Sequence, residues 1–444
     1  YLLLAIPMIL QNAITNLVSF LDNIMVGQLG TEQMSGVAIV NQLIFVYNLA
    51  IFGAVSAASI FGAQYFGKGN HKGHMYSFRF KLYATLLVTG GAILLFLTKG
   101  SALISLYLTD TVGNGATDLA LQYGLEYLAI MMVGLIPFAV NQSYATNIKE
   151  TGQTFIPMLA SFVAVGTNAI LDYLMIFGIG PFPELGVQGA ALATVIARYI
   201  EALIVVIWAH IHRGKNRYLE GAYTGFGIPL AELKAILIKG FPLMMNEVLW
   251  AAGMTTVTQC YSVRGLDVVA GLNIASTITN LFNIVYLQLG SCISFVVGQY
   301  LGAGKLEDAK DADNKMIVFS VFCCVIMAAL MFVVGGFFPG IYNTTEEIRE
   351  LATSFIAVSA IIMPFCAFSH ASYFTLRSGG KTVVTFLFDS VFTWVIVVPA
   401  AYLLAHFTGL GIVSIYFLVQ GTELIKVIIG YLMVKSNVWV VQMV

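Results

Sequence analysis

Twelve apolar runs, each long enough to cross a bilayer as a helix, leave this chain almost no choice of fold class. They read at 3–27, 36–66, 76–98, 119–147, 154–178, 186–211, 236–263, 268–302, 312–338, 347–376, 382–406 and 409–434. All meet the ~20 residues that a spanning helix needs. Backbone amides in hydrocarbon must be bonded within their own segment, and the runs are roughly two to three times longer than a barrel strand, so helices are expected. With 59% hydrophobic and 10% charged residues, 444 residues carry too little polar surface to cover a soluble globule. An all-α membrane protein with twelve transmembrane helices follows.

The basic residues set its orientation. If the first residues are cytoplasmic, the inner segments hold Lys68, Lys72, Arg79, Lys81, Lys149, Arg213, Lys215, Arg217, Lys234, Lys239, Lys305, Lys310, Lys315, Arg377, Lys381 and Lys435, sixteen against Lys99, Arg264 and Arg349 outside. That asymmetry places both ends in the cytoplasm and favours an even helix count. The chain begins at Tyr1 without Met and stops in an apolar stretch, the pattern of trimmed ends. The five cysteines all fall in apolar runs without metal-ligand spacing and read as packing residues.

The chain also repeats itself. Pro7 matches Pro242, Gly36 matches Gly271, Asn48 matches Asn283, and Gln64–Gly69 matches Gln299–Gly304, all at an offset of 235. Pro137-Phe138 matches Pro364-Phe365 and Gly152 matches Gly379 at an offset of 227. Two pseudo-symmetric six-helix bundles are expected: residues 1–211, a cytoplasmic linker over 212–235, and residues 236–444. Both copies begin on the same side, so they are parallel repeats, and a cleft between them is the expected substrate path. Within the linker region, 231–239 reads as a short amphipathic helix feeding the seventh run. The connectors at Gly67–Lys72 and Gly302–Lys305 read as tight turns whose glycines supply positive φ. Gly379-Gly380-Lys381-Thr382 imitates the end of a phosphate loop, but Thr375 stands where the opening glycine belongs and no strand precedes it.

Duplication supplies an internal control: what only one copy carries is a candidate for function. Asp22 aligns with Val257 and Asp172 with Pro399, so neither acid is duplicated. Asp22 lies about five residues from the outer end of its run, Asp172 about six, and Thr194 about eight, which at ~1.5 Å per residue puts all three roughly 8–12 Å deep. Asn168 is one turn from Asp172 on the same face. Two carboxylates, an amide and a hydroxyl at one depth suit a small hard cation such as Na⁺ at Asp22, Asn168 and Asp172, or a shared proton. The alternative is that each acid is tied separately to a neighbouring helix. Glu247, five residues after Pro242, has the neutral Asn12 as counterpart and no basic residue in its run placed to pair with it, which makes it a candidate substrate or proton site. Arg198 with Glu201, and Glu423 with Lys426, sit three apart and read as structural pairs. His370 reads as a packed, bonded histidine, and Glu126 and Asp389 as solvated or paired acids. Asn343-Thr-Thr345 has the form of a glycosylation site, discounted for a chain of bacterial style.

The segment Pro7…Val18-Ser-Phe-Leu-Asp22-Asn-Ile-Met-Val-Gly27-Gln-Leu-Gly30, the Ala63-Gln-Tyr-Phe-Gly67-Lys-Gly69 turn, the Asn168…Asp172 helix and Gly189-Ala-Ala-Leu-Ala-Thr194 together resemble the multidrug and toxic compound extrusion (MATE) transporters, in a bacterial branch, over essentially the whole chain. The resemblance implies two lobes forming a V around a central cavity and export of cationic or amphipathic compounds in exchange for Na⁺ or H⁺. It implies cation-coupling roles for Asp22, Asn168 and Asp172, with Thr194 a weaker match. A seventh-helix Glu and a tenth-helix Asp found in some branches fall here at Trp250 and near Cys366, so an ion site of that kind is not expected.

The leading function is therefore a cation-coupled antiporter working by alternating access in a bacterial plasma membrane, as a monomer. It needs no cofactor beyond the coupling ion, and its expected partners are small molecules and membrane lipids, not nucleic acid. A flippase for a lipid-linked oligosaccharide is the alternative; it would want a basic cavity for pyrophosphate, whereas Arg198 and Lys426 each stand beside an acid. No nucleophile, metal or cofactor constellation of an enzyme is visible.

Overall fold

The computed structural model describes residues 2–108, 116–225, 227–342 and 344–444. Asn343 of the Asn-Thr-Thr triplet lies outside the described residues. The chain is almost wholly helical: α1 Leu2–Gly27, α2 Thr31–Lys68, α3 His71–Ser105, α4 Ala116–Val133, α5 Leu135–Glu150, α6 Phe155–Ile176, α7 Val187–Ile211, α8 Leu230–Ser262, α9 Leu266–Gly302, α10 Leu306–Gly335, α11 Glu346–Ser378, α12 Thr382–Phe386, α13 Val398–Phe407, α14 Ile412–Gly421 and α15 Glu423–Lys435. Among the described residues ten helical spans are long and apolar enough to cross a membrane, and the bent pair α4–α5 makes an eleventh. With α1 they follow the twelve segments expected from the sequence.

The 44° bend between α4 and α5 has a local cause. Gly134 stands at the break, and Pro137 has no N–H to give to the carbonyl four residues back. In the second copy Pro364 sits inside an unbroken α11, where Ile361 occupies the place of Gly134. One other expectation fails: residues 231–239 do not form a separate amphipathic helix, because α8 runs continuously from Leu230. Between α12 and α13 the backbone widens into π-helical turns at Leu387–Val391 and Thr393–Val397, just ahead of Pro399.

By contact density the chain divides into two compact units, one of Tyr1–Ala5, Ala63–Asn70 and Lys234–Val444, the other of Ile6–Gly62 and His71–Leu233. They are called here unit 1 and unit 2. The duplication is visible inside each. In unit 2 a Cβ on Gly36 would press on the Ala120 carbonyl at 2.5 Å and on Gly124; in unit 1 a Cβ on Gly271 would meet Leu351 Cβ at 3.2 Å. A glycine thus lets equivalent helices approach closely in both copies, against Gly124 in one and Leu351 in the other. The turn glycines repeat as well: Gly69 and Gly304 have φ of 75° and 73°, and Asn70 N–H donates to Tyr65 O at 2.9 Å as Lys305 N–H does to Tyr300 O at 3.0 Å. Beyond Pro364 the register shifts by one, for the glycine that shares the positive φ of Gly152 is Gly380 and not Gly379.

Within unit 1 the two Gln-Tyr-x-Gly segments pack on one another. A Cβ on Gly67 would strike the Gln299 carbonyl, and one on Gly302 the Gln64 carbonyl, so only glycine lets these backbones meet. The segment after α15 folds onto this crossing. Met443 N–H donates to Gln64 Oε1 at 2.8 Å, Gln442 Nε2 donates to Gly302 O at 3.0 Å, and Trp439 is buried. Met443 also fills the space beside Gly380, so the Gly-Gly-Lys-Thr stretch is a helix-to-helix turn closed by chain. Gly302→Ala is expected to lower stability by about 1–3 kcal/mol, the usual cost of forcing an extra carbon into a packed contact. Thermal unfolding of the purified protein reads it, and an unchanged midpoint would contradict the crossing.

Unit 2 carries a wholly buried ionic node. Glu150, at the end of α5, takes Lys81 Nζ at 2.5 Å and the Ser59 hydroxyl at 2.6 Å on one oxygen, and stands 3.1 Å from His74 Nε2 on the other. Lys81 also donates to Asn147 Oδ1. Gly62 makes room for the Glu150 carboxyl, which a Cβ there would overlap.

Candidate functional site

The acids unique to the first copy come together in unit 2. Asp22 projects from α1 and Asp172 from α6, and their carboxyl groups lie within hydrogen-bonding reach of each other. Asp172 is fully buried, and neither of its oxygens receives a well-formed hydrogen bond; the same holds for Oδ1 of Asp22. Asn168, one turn before Asp172, turns its amide to the same place and donates to Thr194 Oγ1 on α7 at 3.4 Å. Helix periodicity brings Asn168 and Asp172 onto one face, and the close packing at Gly189, where a Cβ would fall only 2.6 Å from the Met175 carbonyl, draws α7 in beside them.

Two residues unmarked by any motif complete the group. Tyr127 of α4 is buried in the electrostatic range of both acids, and its hydroxyl donates to Asn41 Oδ1 of α2 at 3.3 Å. Tyrosines are common in such helices, so only the rotation of α4 about its axis marks this one. No ion pair engages Asp22 or Asp172 among the described residues. The nearby Arg198 instead donates to the Gly134 carbonyl at 3.4 Å, at the α4–α5 break, and lies 5.0 Å from the centre of the Phe138 ring. Two carboxyls at this range, short of donors, need a proton or a small cation between them. The oxygens of Asp22, Asp172 and Thr194 form a hard donor set for either, and the Asn168 amide joins it for a cation by turning its oxygen inward in place of the nitrogen that now faces Thr194.

The remaining charged positions divide differently from expectation. Arg198 does not pair with Glu201, which accepts from the Ser161 hydroxyl, itself taking Gln11 Nε2 at 2.7 Å. The partner of Lys426 is not Glu423 but Asp389, at 2.7 Å. Glu126 accepts from Gln122 at 3.0 Å and Gln188 at 3.2 Å. His370 is bonded through Nδ1 to the Cys366 carbonyl at 3.0 Å and packs on Tyr286. Glu247 belongs to unit 1, where Arg377 of α11 and Asp389 are the charges that face it.

With the fold and this constellation in view, the family is decided by one match: the MatE family model covers residues 7–174 and again 242–403. The chain belongs to the MatE family of transporters. Among its relatives, a protein of Thermotoga maritima called a probable multidrug resistance protein NorM is 23% identical over 93% of this chain and 86% of its own length. A like-named protein of Halalkalibacterium halodurans is 24% identical, covering 93% and 88%. The fold matches an outward-facing multidrug resistance MATE transporter of the MOP superfamily, with a TM-score of 0.88 at 20% identity over 98% of this chain and 94% of the other. It also matches a MOP superfamily transporter of Pyrococcus furiosus, for which reversed polarity of the binding pocket suggests a different function, with a TM-score of 0.87 at 20% identity over 98% and 94%. The two matched stretches of this MatE chain begin at Pro7 and Pro242, the pair of prolines related by the repeat.

Proposed function

We propose that this MatE chain is a multidrug exporter that moves cationic or amphipathic small molecules outward in exchange for Na⁺ or H⁺. The coupling ion binds at Asp22 and Asp172, with Asn168 and Thr194 completing its shell. The observation that carries the reading is the meeting of the two carboxyls without a basic partner. An uncompensated acid pair inside a membrane span is costly unless an ion visits it, and an ion that binds one arrangement of the protein better than another drives the exchange between them. The names of the bacterial relatives support the multidrug class. The distribution of basic residues supports a multi-pass plasma-membrane protein with both ends in the cytoplasm.

The flippase alternative loses ground at Arg198 and Lys426, the two bases that the sequence places within apolar runs beside an acid. Lys426 is neutralised by Asp389, and Arg198 is spent on a carbonyl and an aromatic face, leaving neither for a pyrophosphate. The test is efflux of a fluorescent organic cation from proteoliposomes under separately imposed proton and sodium gradients. Acceleration by one gradient and not the other identifies the ion; efflux indifferent to both overturns the reading.

A further inference from the structure

Unit 1 holds a second polar centre that the coupling site does not use. Asp389 sits in the first π-helical turn, and both its oxygens are taken: Lys426 Nζ of α15 reaches Oδ1 at 2.7 Å, and Asn246 Nδ2 of α8 reaches Oδ2 at 3.0 Å. Asn246 is itself fixed, its Oδ1 accepting from the Ser390 amide at 3.2 Å and hydroxyl at 2.7 Å. The wide turn permits this, presenting consecutive residues 389 and 390 to the same amide. So the carboxylate is held firmly in place, while the cation opposite ends a flexible four-carbon stem.

Lys426 has a second acid within reach. Glu423 stands three residues earlier on the same helix, and its Oε1 is buried without a hydrogen-bond partner. Neighbours at that spacing share a helix face. Formal charges in and around the centre are Asp389, Glu423 and Glu247 against Lys426 and Arg377, which leaves one negative charge in excess, with His370 facing the same group. The ring of Phe388 lies 5.4 Å from the Lys426 ammonium, an aromatic face of the kind that attracts organic cations. The Asp389 side chain retains 15% of its exposure, against 8% for Lys426, so the acid is the more accessible member of the pair.

We propose that Asp389 is a binding site for the cationic group of an organic substrate, with Lys426 as its tethered stand-in and Glu423 as the partner to which Lys426 retreats when substrate arrives. The exchange never strands the buried cation: Lys426 is paired in both states, by Asp389 when the site is empty and by Glu423 when it is filled. That condition matters because breaking a buried pair by removing one member is strongly destabilising. The proposal rests on the export of organic cations argued above, and adds where in unit 1 such a cation is received and what competes with it.

Equilibrium dialysis of tetraphenylphosphonium against the purified full chain in detergent tests this. Lys426→Gln removes the competitor and is expected to tighten binding by about fivefold, and Asp389→Asn to weaken it by about tenfold, in keeping with the loss of one charge-assisted contact. In the Asp389→Asn background, Lys426→Gln should no longer tighten binding. Equal or weaker binding by a folded Lys426→Gln protein, or tightening that survives Asp389→Asn, overturns the proposal. Should Lys426→Gln fail to fold, Glu423→Gln decides: without its retreat Lys426 holds Asp389 harder, so binding weakens, and unchanged binding refutes the scheme. Wild-type protein that binds no organic cation would instead count against the export reading itself.

Discussion

Asn in place of Asp172 is expected to cut gradient-driven efflux by about 100-fold, the upper range of what one coupling free energy supplies. The substitution keeps the size of the side chain, so packing against α7 is preserved while the charge that an ion answers is lost. Asp22→Asn should act alike. The two carboxyls lie within reach of each other, so on the proposed coupling role the double variant should be little worse than either single one, as expected for residues that work as a unit. Initial efflux rates from proteoliposomes, measured with and without the imposed gradient, separate the driven from the passive component. The passive component and equilibrium binding of an organic cation should persist in both variants. Wild-type driven efflux from either variant would leave unit 2 without a coupling role.

Much of this architecture can be read from residues near one another in the chain. Apolar runs mark the helices because hydrocarbon tolerates only internally bonded backbone, and the positive φ of Gly69 and Gly304 follows from a short connector that must reverse direction. Asp22, Asn168, Asp172 and Thr194 could be brought to one depth by counting residues. What counting along the chain does not give is the rotation of each helix about its axis. Hence the selection of Asp389 over Glu423 by Lys426, the presence of Tyr127 beside the acids, and the use of Arg198 on the Gly134 carbonyl emerge only in three dimensions. The bend at Gly134 is not legible in its proline alone, since Pro364 stands in the equivalent place of the second copy without one. It takes a glycine and a proline together to open that helix.

The contrast between the two buried acids of unit 2 leads to the second large effect. Glu150 is as buried as Asp172, yet it is surrounded by Lys81, His74 and Ser59, whereas Asp172 faces another acid. Removing the cation alone, by Lys81→Met, leaves a carboxylate in the protein interior with its main compensation gone, at a cost of about 3–5 kcal/mol. For a unit of this size that is a fall in unfolding midpoint on the order of 10 °C. Lys81→Met combined with Glu150→Gln removes both charges and should recover a good part of the loss, since two neutral side chains of similar volume carry no stranded ion. Thermal unfolding of the purified variants measures both. Driven efflux per folded molecule supplies the complementary reading: it should survive Lys81→Met and vanish with Asp172→Asn, while the unfolding midpoint does the reverse. The proposed division is that Glu150, satisfied within unit 2, serves the fold, and that the Asp22–Asp172 pair serves coupling. If both substitutions moved the same observable, that division of labour within unit 2 would be wrong.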